Sequence, residues 1–285
     1  MEEEQKKIVQ IGIYNHLKVI KKVDFGVYLE GGKFGEVLLP ARYVPGGCKI
    51  GDIIEVFLYK DSEDRIIATT EKPYAKVGEF AFLKAVEVSQ FGAFLDWGLM
   101  KDLLVPFREQ RENQMEKGKW YVVRVCLDEK TERIFGSARI EKYLDKEPSG
   151  CREKEEVDLI IYGKNDLGFK AVINNSHIGL VYKNEVFVPL EIGQKVKGYV
   201  KKIKEDGKID LCLQKEGYEK IGGAAEDILE KLKKAGGFIA VTDKSAPEFI
   251  YGMFGISKKT YKKSIGALLK KKLIAISDDG IRLKK

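Results

Sequence analysis

Through its first 221 residues the chain is written in short alternating runs, in which Val, Ile, Leu, Phe or Tyr recurs at about every second position. A pleated strand sends successive side chains to opposite faces, so this pattern predicts strands with one face on a core and the other in water. Turn-forming stretches such as EGGKFGE, DSEDR, NNSHIG and KEDGK divide the runs, as in antiparallel hairpins. Beyond that point the period lengthens. AAEDILEKLKKAGG (Ala224 to Gly237) sets Ile228, Leu229 and Leu232 at helical spacing and stops on glycine. Pro247 to Phe254 predicts a second short helix, because proline is tolerated in a first turn. Ser257 can cap a third, with an apolar stripe of Tyr261, Ile265, Leu268 and Leu269 and with Lys259, Lys262, Lys263 and Lys270 on the other side. LIAISDDGIRL then predicts a two-stranded hairpin turned at Asp279-Gly280.

The alternating part repeats. VDFGVYLEGGKFGEVLLP (Val23 to Pro40), VSQFGAFLDWGLMKDLLVP (Val88 to Pro106) and NDLGFKAVINNSHIGLVY (Asn165 to Tyr182) align in register. In each, a glycine (Gly26, Gly92, Gly168) stands 14 residues before Pro40, Pro106 or Tyr182. A second glycine (Gly51, Gly118, Gly193) follows the first by 25 or 26 residues and opens the next run. Five strands per unit fit a small closed or nearly closed barrel, and the five-stranded oligonucleotide-binding barrel is the leading candidate. Boundaries fall where charge and turn formers replace periodicity, which divides the chain into barrels at 1–73, 74–148 and 149–218 and a helical unit at 219–285. Three helices and a hairpin are the order of a winged helix, whose third helix commonly faces nucleic acid. The fold class expected is thus multidomain and mainly β, with a C-terminal α+β unit.

Composition removes several alternatives. Hydrophobic residues at 44% and charged residues at 33% describe a globular chain rather than a disordered one. No apolar run approaches the length of a membrane span, and the opening MEEEQKK lacks the basic flank and apolar stretch of a secretory signal, so a cytoplasmic protein with no membrane partner is expected. Cys48, Cys126, Cys151 and Cys212 are spaced by 78, 25 and 61 residues, which clamps no zinc and predicts reduced, mostly buried thiols. His16 and His177 lack a catalytic setting, and His177 reads as an exposed loop residue. There is no phosphate-cradling glycine loop. The reading is therefore of a non-enzyme with no cofactor and no metal. Trp97 reads as a turn-edge residue and Trp120 as a core one.

Charge sharpens the picture. Of the net +7, all sits in residues 222–285, which carry 14 Lys or Arg against 7 Asp or Glu, while the other 221 residues carry 37 of each sign. No carboxylate occurs from Phe249 through Ser277. A polyanion partner follows for that end, through Lys258, Lys259, Lys262, Lys263 and Lys270.

The FG[VA][YF]L pattern, followed by an apolar triplet and a glycine-led strand, resembles the S1-type RNA-binding domain. It is a good match in units one and two and a partial one in unit three. That resemblance implies base stacking by Phe25 and Tyr28 and by Phe91 and Phe94. In unit three the same positions read Leu167 and Lys170, and the position of the family's RNA-contacting histidine is Pro40, Pro106 and Tyr182. Lys170 and Tyr182 are the candidates there. Residues three apart in a strand face opposite ways, so a bulge between the paired rings is expected. Arg42, Arg65, Arg108, Arg133 and Arg139 are candidates for phosphate, with Arg42 and Arg108 foremost. Across nearly the whole chain, and most sharply in GGFIAVTDKSAPEFIYGMFGISKKTYKKSIGALLKK, the sequence resembles the CvfB family of bacterial regulatory RNA-binding proteins. This implies single-stranded RNA as partner and a role in gene regulation. The rival readings are a duplex DNA-binding regulator and a scaffold that docks on a ribosome or polymerase surface. A nuclease would need clustered carboxylates, and DSED (Asp61 to Asp64) and SDDG (Ser277 to Gly280) fall where hairpin turns are expected.

Overall fold

Each alternating run becomes a strand, and each set of five strands buries its inward side chains by curling onto itself. The structure, a computed structural model, describes residues 8–111, 113–145, 147–186, 189–213 and 221–284. The opening MEEEQKK and the boundary stretch Gln214 to Lys220 lie outside the described residues. In the first set, β1 (Tyr14–Val23), β2 (Gly26–Glu30), β3 (Glu36–Pro40), β4 (Ile53–Lys60) and β5 (Ile66–Thr69) form a closed barrel in the order β1-β2-β3-β5-β4. Every pairing is antiparallel except β3 with β5. Val19, Val27, Leu29, Leu39, Val56 and Leu58 fill its interior.

The second set repeats the plan with β6 (Phe80–Ser89), β7 (Gly92–Asp96), β8 (Leu103–Pro106), β9 (Trp120–Asp128) and β10 (Arg133–Ser137). Its strands are hydrogen-bonded in the order β10-β9-β6-β7-β8. The seam between β8 and β10 is closed by side chains, tightly enough that a Cβ on Gly136 would meet Val105 Cγ2 at 2.8 Å. A third set, β11 (Glu156–Lys164), β12 (Gly168–Ile173), β13 (His177–Tyr182), β14 (Lys195–Ile203) and β15 (Ile209–Cys212), is again a closed barrel.

Two compact units divide the chain, Met1–Tyr143 and Leu144–Lys285. Within the first, barrels one and two share a core. Phe57 and Tyr59 of β4 pack with Trp97, Leu99 and Leu103 of the second barrel. The Phe57 and Trp97 rings meet edge to face at 5.9 Å, and the Trp97 indole Nε1 donates to the Lys101 carbonyl at 2.6 Å. Around this apolar contact, Lys101 Nζ donates to the carbonyls of Lys60 and Asp61, Lys60 Nζ donates to the Thr131 carbonyl, and Arg133 forks onto the Asp64 carboxylate. Burial, the largest influence on the Lys101 ammonium, lowers its pKa.

The tryptophan assignments are therefore reversed: Trp97 is 3% exposed and Trp120 is 53% exposed. Strand periodicity marks which residues leave a sheet face, and the cover that the neighbouring barrel gives Trp97 is a long-range fact outside that pattern. His177 is also corrected. It opens β13 opposite Ile173 and is buried, because the turn ends at Ser176, three residues before the end of the NNSHIG stretch. Of the four cysteines, Cys126 and Cys212 are buried and Cys48 and Cys151 are half-buried, all as free thiols. Burial pushes the Cys126 thiol up to about 11.

The last segment folds as α1 (Ile221–Lys234), a short β16 (Phe238–Ile239), α2 (Pro247–Phe254), α3 (Lys258–Lys270), β17 (Ile274–Ser277) and β18 (Gly280–Leu283). Ser257 caps α3, its Oγ accepting from the Thr260 amide at 3.1 Å. Tyr261 stacks on Phe254 at 5.2 Å and its hydroxyl donates to the Val241 carbonyl. Two details differ from the sequence pattern. Leu269 is exposed, the buried stripe being Tyr261, Ser264, Ile265 and Leu268. The hairpin turns at Asp278-Asp279, since Ser277 pairs with Gly280, and β16 makes the wing a three-stranded sheet. Asp61 and Asp64 of DSED and Asp279 of SDDG bond to Arg65, Arg133 and Arg282 within or beside these turns.

Because barrels one and two bury one core between them, Phe57→Ala is expected to destabilise both by about 3–5 kcal/mol. Urea unfolding followed by Trp97 fluorescence and by far-ultraviolet circular dichroism should show them melting together. Separate transitions for the two barrels would contradict the shared core.

Candidate nucleic-acid interface

The paired rings of the FG motif lie on one face, by a route different from the expected bulge. Val23 pairs with Gly26, so Asp24 and Phe25 are the turn between β1 and β2, and only Tyr28 belongs to the strand proper. The register irregularity lies in the facing strand, between Val19 and Lys21. Barrel two follows suit: Gln90 and Phe91 form the turn, and β6 is irregular between Ala85 and Glu87. What fixes the turn is a close backbone approach. A Cβ on Gly26 would stand 2.2 Å from the Leu39 carbonyl oxygen, and one on Gly92 would stand 2.2 Å from that of Val105, both at positive φ. Only glycine fits there.

Phe25 is consequently 58% exposed and Phe91 64% exposed, while Tyr28 and Phe94 are half-buried. The Phe25 and Tyr28 rings meet edge to face at 6.4 Å. Lys21 lies 5.5 Å from the Tyr28 centroid, a cation over an aromatic face. Arg42 is exposed just beyond β3, its guanidinium 4.6 Å from the Tyr43 ring and its Nη2 on Met100 Sδ. In barrel one, aromatic and cationic side chains thus share one surface.

Barrel two differs in charge. The residue opposite Phe94 is Glu87, where barrel one has Lys21 opposite Tyr28. Burial, with Asp96 and Glu87 adding their charge, raises the pKa of Asp102. Barrel one carries Glu30 and Glu36 where barrel two has Asp96 and Asp102, so the difference in sign lies at Glu87. Arg108, exposed after β8, lines an open depression with Lys130, Phe135, Arg139 and Lys142. This depression rests on Glu109, which is buried and accepts from Ser137 Oγ at 2.6 Å, Lys142 Nζ at 3.1 Å and the Tyr143 hydroxyl at 3.1 Å. Burial alone would raise the Glu109 pKa, and these donors outweigh it, so the net shift is downward.

Barrel three keeps the turn and loses the rings. Asn165 Oδ1 accepts from the Leu167 and Gly168 amides, leaving Leu167 58% exposed where the other barrels hold Phe. Lys170 is half-buried, and Tyr182 accepts a hydrogen bond from Lys204, whose ammonium also lies 5.6 Å from its ring. Phe169 is the aromatic nearest the motif, half-buried under Lys164 at 5.2 Å and one residue out of phase with Tyr28. Among the other predicted cations, Arg65 is bound to Asp61 and Glu63, Arg133 is bound to Asp64, and Arg139 reaches the Arg108 carbonyl.

On the winged helix, Lys259, Lys262, Lys263 and Lys270 are all exposed along α3. Lys262 pairs with Asp243 at 3.5 Å, and Lys258 is half-buried, its Nζ donating to the Ser245 carbonyl at 2.9 Å. Among the described residues no group of three or more His, Cys, Asp or Glu side chains is placed to hold a metal ion, and no helix is long and apolar enough to cross a membrane.

Comparison with known proteins agrees with these features. Residues 11–71 match the S1 domain family, and residues 226–283 match the CvfB-like winged helix domain. An uncharacterized protein of Bacillus subtilis, YitL, is 26% identical over 89% of this chain and 87% of its own length. Conserved virulence factor B of Staphylococcus saprophyticus is 23% identical over 99% of this chain and 97% of its own. Among solved structures, a multidomain protein with nucleic acid binding domains from Streptococcus pneumoniae is 24% identical, with coverage of 96% and 98% and a TM-score of 0.42.

Glu109 should reveal itself in the pH dependence of folding. Its folded pKa is depressed, so its stabilising contribution is full above the ordinary glutamate pKa and is lost as pH falls through that value toward the lower folded one. Denaturant unfolding from neutral pH to about pH 3 should show Glu109→Gln losing less stability than the parent chain. Equal losses in the two proteins would contradict the assignment.

Proposed function

We propose that this chain, a CvfB-family protein, is a non-enzymatic, cytoplasmic regulator of gene expression that binds single-stranded RNA, with barrel one as its principal stacking surface. The observation that carries the reading is the exposed Phe25 beside Tyr28, with Lys21 over the Tyr28 ring and Arg42 nearby. Flat rings accept any base, and stacking contributes roughly 1–3 kcal/mol per base. Phosphates of the same strand suit Lys21 and Arg42. In barrel two, Phe91 and Phe94 offer the same rings, with Arg108 for phosphate, but Glu87 stands where barrel one has Lys21 and repels the backbone, so this barrel contributes less. Barrel three, with Lys170 and Tyr182 in place of stacked rings, contributes charge rather than stacking.

The winged helix offers Lys259, Lys262, Lys263 and Lys270 to phosphates, with Lys258 holding the start of α3. The exposed lysine row on α3 also suits the major groove of a duplex. Competition between duplex DNA and single-stranded RNA decides which polymer this unit prefers. A protein surface as its partner predicts weak binding to both. The four-unit division at 73, 148 and 218 belongs to the same proposal.

Fluorescence anisotropy of labelled oligouridine or oligoadenosine at several salt concentrations tests the reading. Affinity should fall with salt at a slope of about 0.7 per phosphate neutralised. Phe25→Ala and Tyr28→Ala should each weaken binding by roughly five- to a hundredfold. Phe91→Ala and Phe94→Ala should cost less, and Glu87→Lys should strengthen binding. Tight binding indifferent to Phe25 and Tyr28 would overturn the stacking step.

A further inference from the structure

Trp120 opens β9 and is 53% exposed, with its ring tilted 31° over Phe82 at 5.3 Å between centroids. Phe82 lies on β6 opposite Val122, and Trp120 lies opposite Lys84, so all four are neighbours on the outer side of the β6–β9 pair. This is a different part of the barrel surface from the β7 strand and turn that carry Phe91 and Phe94.

The other two barrels supply a control within the same chain. The residue two after the second glycine of each repeat is Ile53 in barrel one, Trp120 in barrel two and Lys195 in barrel three. The cross-strand pair at the Phe82–Val122 position is His16–Glu55 in barrel one and Asp158–Lys197 in barrel three. Both of those are solvent-facing polar pairs, at 3.7 Å and 2.7 Å. The fold thus accepts a polar pair at the Phe82–Val122 position and either Ile53 or Lys195 at the Trp120 position, and barrel two alone sets a ring backed by a second ring there.

We infer that Trp120 and Phe82 form a second stacking platform, which takes one unpaired nucleobase of a single strand. Phe82 supports one face of the indole and leaves it pre-set for a flat ligand. The charge beside it suits the attached phosphates: Lys84 and Lys117 are exposed, and Lys119, immediately before Trp120, is held by Glu116 at 2.7 Å. Base stacking on an aromatic is sequence-tolerant, so the platform adds grip rather than sequence choice. The inference rests on the single-strand binding proposed above.

The chain's two tryptophans make the test direct, because Trp97 is buried and Trp120 is open. The full chain is titrated with labelled oligouridine, with anisotropy reporting binding and selectively excited tryptophan emission reporting stacking. Expected are a rise in anisotropy, quenching of the exposed component and its protection from acrylamide. Trp120→Leu should abolish the quenching and weaken affinity by roughly five- to a hundredfold, and Trp120→Phe should restore most of the affinity. Trp97 emission marks intact folding in each variant. Binding without any change at Trp120 would overturn this inference and leave the Phe25–Tyr28 surface standing. Absence of binding altogether would overturn both. Protection of Trp120 that grows with protein concentration and needs no RNA would assign the platform to a protein interface instead.

Discussion

A single backbone approach sets the chemistry of the first two barrels. Where β2 leaves its turn, Gly26 lies so near the Leu39 carbonyl that no side chain fits, and Gly92 repeats this against Val105. That approach pins a two-residue turn whose second residue, Phe25 or Phe91, projects off the barrel instead of alternating into it. The ring and its partner three residues on then share one surface. Exposure of a large aromatic costs burial that the fold could otherwise use, and a backbone constraint this tight keeps it in place.

Charge then separates surfaces that geometry makes alike. The same turn and the same pair of rings are met by Lys21 in barrel one and by Glu87 in barrel two, a reversal of sign at one position. Near surface rings such a change alters how a polyanion is received far more than it alters the barrel. Barrel three keeps the glycine and the turn while its rings have given way to Leu167 and Lys170. Repetition of a fold therefore leaves each copy free to keep, invert or lose its surface chemistry.

Much of the architecture is legible in the sequence because alternation and the glycine spacings are local signals. The three barrels, the helical order of the last segment and the cap at Ser257 all follow from residues within one turn or one hairpin of each other. What eluded it depends on distant partners. Trp97 is buried by Phe57 of another barrel, Trp120 stays outside for want of such a cover, and the bulge expected in β2 lies in the strand facing it. The rings and lysines of the candidate surface were visible as residue types, whereas the Lys21–Glu87 contrast needs the strand register to be seen.

The proposed function requires single-stranded RNA to rest on the rings at the β1–β2 turn. Photo-crosslinking of thiouridine-bearing RNA to the full chain, with the attached peptides identified by mass spectrometry, measures this most directly. The peptide containing Phe25 and Tyr28 is expected to be the most heavily labelled of the barrel peptides. Labelling confined to residues 221–284, with that peptide untouched, would contradict it.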